Sequence, residues 1–206
     1  MNDRAPLPVT RQLLYSLGSL GSSVVYYTTS LWLVYFYAPP SEAGAPTLVP
    51  LAVVGTLLTI GKFIEAFDDP LIGHWSDSTR SRFGRRAPFI VVGAPLMALF
   101  FVLVWTPPDG EPTLLNAVYF FLALEGFYLF ATVTLGPYEA IMPEIAGASA
   151  QRVRLSAWKV LFGALGTGIA LIGSPMLVTR FGFPPMALVM GCIALLTLYL
   201  SLKGVS

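Results

Sequence analysis

Six long runs of hydrophobic residues, separated by short polar or proline-containing segments, dominate the chain. A helix needs about 20 predominantly apolar residues to cross a bilayer. Pro39-Pro40, Pro107-Pro108 and Pro184-Pro185 stand where turns are expected, because proline interrupts a helix. The pattern predicts an all-α membrane protein with six transmembrane helices, at residues 13–37, 47–75, 87–107, 113–143, 153–178 and 183–202.

Composition agrees with a membrane protein, because 55% of the 206 residues are hydrophobic, 11% are charged and the mean hydropathy is +0.73. Soluble domains average about 25% charged residues. The single cysteine, Cys192, excludes an intrachain disulfide, and the single histidine, His74, gives no basis for a histidine metal site. Without a nucleophile–base pair or a phosphate-binding loop, we expect no enzyme and no resident cofactor. We also expect no nucleic-acid partner.

The basic residues between the hydrophobic runs predict the orientation of the chain in the membrane. Lysine and arginine concentrate in cytoplasmic loops. Nine of them fall on one predicted side: Arg4, Arg11, Arg80, Arg82, Arg85, Arg86, Arg152, Arg154 and Lys203. The opposite side has only Arg180. We therefore expect a cytoplasmic tail at residues 1–12, a cytoplasmic end at 203–206 and insertion in a bacterial inner membrane.

The second run carries ionisable residues that are unusual inside a hydrophobic segment. At helical spacing Lys62, Glu65 and Asp69 share one face, and Asp68 lies beside them. Charged groups within a bilayer are costly and commonly mark ion or proton pathways. Paired carboxylates suit a hard cation such as Na⁺, or a proton. The alternative is a charge network with Lys62 and Lys159 that only holds helices together.

The loop after the second run combines a glycine, an acidic residue and several arginines. Asp77 can bind amides at a helix end and pair with an arginine across the loop. Such a latch would open and close the cytoplasmic ends of the helices, with these residues: Gly73, Asp77, Arg80, Arg85 and Arg86. The alternative is that the arginines only fix topology and attract anionic lipid.

The fourth run contains two further carboxylates and a Gly136-Pro137 pair, which we expect to kink or locally unwind the helix. Thr132 and Thr134 either complete a cation site at that depth or hydrogen-bond to their own backbone. Glu139, nearer the cytoplasmic end, is expected to pair with a loop arginine. In the first run, Tyr26 and Tyr27 either line a substrate cavity or serve as packing and interfacial aromatics.

Two stretches resemble the glycoside–pentoside–hexuronide:cation symporter family, a branch of the major facilitator superfamily that includes melibiose permease. They are EAFDDPLIGHWSDSTRSRFGRRAPFIVVG at 65–93 and PYEAIMPEI at 137–145. The resemblance implies symport of a small solute coupled to Na⁺, Li⁺ or H⁺. It places the cation ligands at Glu65 and Asp69, with Thr132 at a hydroxyl position of the family. Asp68 is a candidate fourth ligand, and Lys62 and Lys159 would balance charge.

Departures from the family pattern concern the solute and the length of the chain. The aspartates that bind sugar in related transporters correspond here to Ser23 and Leu135, and an arginine corresponds to Lys159. Ser23 joins Tyr26, Tyr27 and Thr134 as a candidate residue of the substrate cavity. The family has twelve spans in two halves, so this chain resembles the N-terminal half. It would be a truncated product, a fragment or a half-transporter that pairs with a second half or forms a homodimer.

The expected function is cation-coupled symport of a sugar or another small solute by alternating access. Two alternatives remain at this point. One is a transporter of lysolipids or other amphiphiles on the same fold. The other is a half without independent transport that acts as a membrane interaction subunit. The lipid bilayer is a partner in every case.

Overall fold

A computed structural model describes residues 7–81, 84–147 and 149–205. Arg4, Arg82 and Ser206, which contribute to the predicted tail, loop and end, lie outside the described residues. The described chain is helical, with short connections and one turn of 3₁₀ helix at Ser41–Ala43. Its helices are α1 (Val9–Tyr37), α2 (Leu51–Ser78), α3 (Ala87–Val104), α4 (Leu114–Ile145), α5 (Ser149–Gly168), α6 (Ser174–Phe181) and α7 (Phe183–Leu202).

These helices form six rods that match the six predicted runs. A five-residue π-helical stretch, Ile169–Gly173, joins α5 to α6, and together they make one rod of 33 residues, Ser149–Phe181. Four rods are long and apolar enough to cross a membrane: α3, α4, Ser149–Phe181 and α7. The other two, α1 and α2, are more polar. Serines and threonines lower the hydropathy of α1, and α2 carries the charged residues discussed above.

The hydrophobic core lies between α1, α3, α4 and α7. α3 packs along α4 and α7, and α1 packs along α5 and α7. Large aromatic residues fill the core, among them Tyr37, Phe101, Trp105, Phe120 and Phe127. Small residues allow the close helix contacts, since a β-carbon on Gly166 of α5 would lie 2.3 Å from the carbonyl oxygen of Leu20 in α1.

α2 and α5 lie at the edge of the bundle. α2 buries only four residues, Val54, Gly61, Ile72 and Ser76, and packs mainly on α4. α5 buries only Leu155 and Gly166. Both helices therefore leave large apolar side chains exposed, such as Phe67 at 78% and Val160 at 73%.

α4 is one continuous helix through Gly136-Pro137, so the local unwinding expected there is not found. Proline removes one backbone donor, but neighbouring packing can hold a helix in place around it. Pro137 and Tyr138 are both buried, and Tyr138 stacks on Tyr15 of α1 with the ring centroids 4.8 Å apart. This contact supports the helix at the position where the sequence predicted a kink or local unwinding.

One end of the bundle brings the two ends of the described chain together. A β-carbon on Gly204 would lie 2.6 Å from the carbonyl oxygen of Arg11, and Arg154 of α5 donates to Gln12 of α1 at 3.1 Å. The α2–α3 and α4–α5 connections are at the same end, because Arg85 pairs with Glu144 across them. We call this the terminal end of the bundle. Most of the charged contacts described below lie in its half of the molecule.

Candidate functional site

An open cavity of about 350 Å³ lies between α2 and α4. Its polar lining residues are Tyr26, Asp69, Ser76, Asp77, Thr132 and Glu139. The hydroxyl of Thr132 donates to Oδ1 of Asp69 over 3.0 Å. The structure thus brings together the α2 carboxylate and the α4 hydroxyl that the sequence placed in one site.

Glu65, one helical turn before Asp69, is held by Lys62. Lys62 Nζ lies 2.9 Å from Glu65 Oε1 and 2.8 Å from Oε2. The Lys62 side chain is 65% exposed and also lies over the ring of Tyr128, with Nζ 4.6 Å from the centroid. Glu65 therefore has its charge neutralised within α2. Lys62 balances Glu65, and Asp69 is bonded instead to Thr132.

Asp68 lies apart from Asp69. It lines a second cavity, of about 470 Å³, together with Glu125 and apolar residues of α3 and α4. Successive residues of a helix point in directions about 100° apart, so two neighbouring aspartates in α2 reach different surroundings. Among the described residues no group of three histidine, cysteine, aspartate or glutamate side chains is arranged to hold a metal ion. The four candidate ligands thus do not converge on one point.

Lys159 binds Glu139, which corrects the expected pairing of Glu139 with a loop arginine. The Lys159 ammonium donates to Glu139 Oε2 and lies over two tyrosine rings, 5.0 Å from the centroid of Tyr138 and 5.8 Å from that of Tyr15. Lys159 is 12% exposed, whereas Glu139 is 60% exposed and lines the same cavity as Asp69. Lys159 therefore balances charge at the cavity through Glu139, rather than at Glu65 or Asp69. The loop arginines bind other carboxylates.

A cluster of ion pairs joins three segments at the terminal end. Arg86 Nη2 lies 2.8 Å from Oδ1 of Asp77 at the end of α2, and Arg86 Nη1 lies 3.5 Å from Glu144 Oε1 in α4. Arg85 lies 2.5 Å from the same Glu144 oxygen. The hydrogen bond and positive charge of Arg86 lower the pKa of Asp77 below its ordinary range. The predicted pairing of Asp77 with an arginine is present.

Glu144 completes this cluster, although it was not among the residues that the sequence singled out. The only signal for it was its place in the second motif, PYEAIMPEI. The remaining gate candidates, Arg80 and Gly73, do not take part in this cluster of ion pairs. Arg80 is exposed and makes no ion pair within the part of the chain that the structure describes. Gly73 lines the cavity, and a β-carbon there would meet open space.

The four candidate substrate residues lie in four different places, and only one of them lines the cavity. Tyr26 lines the cavity with Asp69, and Tyr27 is 48% exposed but does not line it. Ser23 faces α5, where a β-carbon on Gly163 would lie 3.4 Å from its hydroxyl oxygen. Thr134 is fully buried, donates to the carbonyl of Phe130 in its own helix and packs against Gly93 of α3. The structure does not place Thr134 in the cavity, because its hydroxyl serves its own backbone.

Comparison with known proteins identifies relatives over most of the chain. The sequence profile described as MFS/sugar transport protein matches residues 14–204. An uncharacterized symporter of Synechocystis sp. is 33% identical over 81% of this chain and 30% of the relative. The inner membrane symporter YicJ of Escherichia coli is 26% identical, over 85% of this chain and 37% of the relative. An isoprimeverose transporter of Lactiplantibacillus pentosus is 27% identical, over 94% and 41%.

The resemblance inferred from the two motifs is thus confirmed. The relatives carry the names of transporters, in agreement with the expectation that the chain is not an enzyme. The chain spans about a third of the length of the curated relatives it matches, from 30% to 41% of the three above.

Proposed function

The chain belongs to the MFS/sugar transport protein family of integral membrane proteins, and from this premise we propose that it is the N-terminal half of a cation-coupled sugar symporter. The observation that carries the proposal is the contact between Asp69 of α2 and Thr132 of α4 at the wall of an open cavity. Glu65, one turn away on α2, would complete the ligand set. Asp68 is left out of this set because it faces the other cavity.

The chemistry of these side chains suits a small hard cation. Carboxylate and hydroxyl oxygens are ligands for hard cations, and a carboxylate can instead take up a proton. Asp69 has no positively charged partner within the described residues, so its negative charge is stabilised only by the Thr132 hydrogen bond and is not neutralised. Binding of Na⁺, Li⁺ or H⁺ would neutralise Asp69 and lower the cost of closing the cavity around it.

The proposed mechanism is alternating access. Cation binding at Asp69 would stabilise the conformation that accepts the solute, and reciprocal coupling then makes solute binding favour the cation. The ion pairs of Arg86 with Asp77 and Glu144 would hold α2, α3 and α4 together at the terminal end of the bundle in one conformation. In the other conformation these ion pairs would separate. By the distribution of basic residues, that end would be cytoplasmic.

The exposed faces of α2 and α5 support a further part of this proposal. A chain that spans about a third of its relatives and leaves these apolar helices at its edge fits one six-span half of a larger transporter. A second six-helix half, or a second copy in a homodimer, would cover the exposed faces. All six rods, including the more polar α1 and α2, would then cross an inner membrane.

Uptake by membrane vesicles that contain the chain tests this function. We expect uptake of a sugar to rise with an inward gradient of Na⁺, Li⁺ or H⁺. In Asp69→Asn the gradient should no longer raise uptake. The first solutes to test are the sugars after which relatives are named, such as isoprimeverose. Uptake of lysolipids but not of sugars would favour an amphiphile transporter on the same fold.

A membrane interaction subunit is the second candidate function. The observation in its favour is that Lys62, Lys159 and Arg86 each neutralise a nearby carboxylate, as a purely structural charge network would. Such a subunit would show no cation-dependent uptake, and Asp69→Asn would alter only its stability or assembly. Wild-type vesicles without gradient-driven uptake, from a folded chain that also binds none of the three cations, would favour this second function.

A further inference from the structure

Glu125 of α4 is a half-buried carboxylate to which the proposed function assigns no role. Its carboxylate lies against the backbone of α2 at Gly61, where a β-carbon would approach Glu125 Oε1 to 2.1 Å. Any side chain at position 61 would therefore displace it. Among the described residues Glu125 has no hydrogen bond or ion pair, although it lies within electrostatic range of Glu65, Asp68 and Lys62.

Lys62 follows Gly61 directly, and its ammonium already reaches the surface of α4. Nζ lies 4.6 Å from the ring centroid of Tyr128, which is three residues after Glu125 and therefore on the same side of α4. The lysine side chain is 65% exposed, so it is free to change rotamer. Lys62 pairs with Glu65 in this structure. Glu125 is a second carboxylate, and it lies beside the backbone at Gly61, from which the Lys62 side chain extends.

Cation binding would leave Lys62 without a carboxylate partner. A cation shared by Glu65 and Asp69 would neutralise the Glu65 carboxylate that now pairs with Lys62. The bound cation and the Lys62 ammonium would then repel each other. An unpaired ammonium within a membrane protein is expensive. Lys62 must then reach another carboxylate, and Glu125 at the Gly61 contact is favourably placed to receive it.

We propose that Glu125 is a positioning residue that receives Lys62 when a cation displaces it from Glu65. The Lys62–Glu65 pair lies within α2, whereas a Lys62–Glu125 pair joins α2 to α4. Cation binding would therefore replace an intrahelical ion pair by an interhelical one and fasten α2 to α4. This inference rests on the proposed cation site and adds to it the step that couples ion binding to helix packing.

A double-mutant cycle on the affinity of the purified chain for its cation tests this exchange. We expect Glu125→Gln to weaken binding of Na⁺, Li⁺ or H⁺, whichever binds to the wild type, about tenfold, because Lys62 loses its alternative partner. Lys62→Gln removes the competitor and should strengthen binding. In the Lys62→Gln background, Glu125→Gln should change affinity less than about twofold.

Two further variants test whether the effect of Glu125 on cation affinity comes from its pairing with Lys62 or only from its negative charge. Asp68→Asn removes the same charge from the same cavity and should leave affinity within about twofold of wild type. Glu125→Asp keeps the charge on a shorter arm and should restore part of the lost affinity, which also provides the test if Glu125→Gln does not fold.

The outcomes are separable. A wild-type chain that binds none of the three cations overturns the proposed function. A wild type that binds, together with an unchanged Glu125→Gln, overturns only the exchange. The exchange is equally overturned if Glu125→Gln weakens binding to the same extent with and without Lys62, because Glu125 would then act without the lysine.

Discussion

Tyr15 and Tyr138 bind α1 to α4 through reciprocal hydrogen bonds. Each hydroxyl donates to the carbonyl of the other residue, over 2.6 Å and 2.7 Å, and both side chains are almost fully buried. We expect Tyr15→Phe to lower the free energy of unfolding by about 1 kcal/mol, the net contribution of one such bond. The measurement is reversible unfolding of the purified chain in mixed detergent.

Tyr199→Phe is the matched control for the tyrosine contact. Its hydroxyl donates to the carbonyl of Val91 over 3.0 Å, but the residue is 37% exposed, so water or lipid headgroups can replace the bond. Its effect should be below about 0.5 kcal/mol, as for most exposed substitutions. Equal effects of the two substitutions would contradict a structural role for the buried pair.

Asp77 gives a pH dependence with a defined sign. Arg86 lowers the pKa of Asp77 in the folded chain below its ordinary value of 3.8. A carboxyl whose folded pKa is depressed adds stability above its unfolded pKa, and that stability is lost as pH falls through the folded pKa. The melting temperature of wild type should therefore exceed that of Asp77→Asn at neutral pH.

The difference in melting temperature should shrink in acid, below pH 3.8, as Asp77 is protonated. It should be small throughout, because the Asp77 side chain is 61% exposed. Arg80→Gln is a suitable control, since Arg80 is exposed and outside the ion-pair cluster. A difference that grew as the pH fell would contradict the assigned pair.

Residue pairings within one helix could be predicted from spacing, whereas pairings between helices could not. The i, i+3 spacing of Lys62 and Glu65 places them on one face, and they bind as that geometry requires. The partner of Glu139 depends on the register between α4 and α5, which the spacing within either helix does not determine. Glu139 was therefore expected to pair with a loop arginine instead of Lys159, and the role of Glu144 was not foreseen.

At the scale of helices, the contact between α1 and α5 depends on Gly166. A β-carbon there would lie 2.3 Å from a backbone oxygen and 3.0 Å from Ser23 Cβ, so the two helices would have to separate. We expect Gly166→Ala to destabilise the chain by about 1–3 kcal/mol, the usual effect of overpacking a well-packed contact. Unfolding in mixed detergent measures the change.

Gly168→Ala, two residues further along the same rod, is the control. A β-carbon at Gly168 would meet no atom within 4 Å. Its effect should lie between zero and a stabilisation of about 1 kcal/mol, the helix propensity gained. If Gly166→Ala were as well tolerated as Gly168→Ala, that result would contradict the close contact between α1 and α5 at Gly166.

The helices themselves could be predicted well, because apolar runs of membrane length have few alternative structures. Their bounds shifted by only a few residues, as at α2, which continues to Ser78 beyond the predicted 75. Local irregularities could not be predicted. α4 stays continuous through Pro137, whereas a π-helical stretch joins α5 to α6 just before Pro175, whose missing N–H leaves the carbonyl of Leu171 without its usual partner. Prolines within two helical runs thus have different outcomes, which the sequence pattern does not distinguish.

At the scale of the whole molecule, the core, the edge helices and the cavity depend on one another. The core of α1, α3, α4 and α7 supports α2 and α5 at its edge. Asp69 of α2 lies beside Thr132 in the cavity between α2 and α4, and Glu139, which pairs with Lys159, lines the same cavity. In the proposed function, a cation at Asp69 changes the charge of this cavity and the contacts of the edge helix.

Cation binding at Asp69 can be measured by the thermal stability of the detergent-purified chain in Na⁺, Li⁺ or choline at constant ionic strength, together with a pH titration. Ligand binding to the folded state raises the free energy of unfolding, by about 2.7 kcal/mol at 100 times Kd. We predict stabilisation by at least one of Na⁺, Li⁺ and H⁺ that is lost in Asp69→Asn and kept in Asp68→Asn. A folded wild type that none of the three stabilises, or equal loss in both variants, would contradict the cation site.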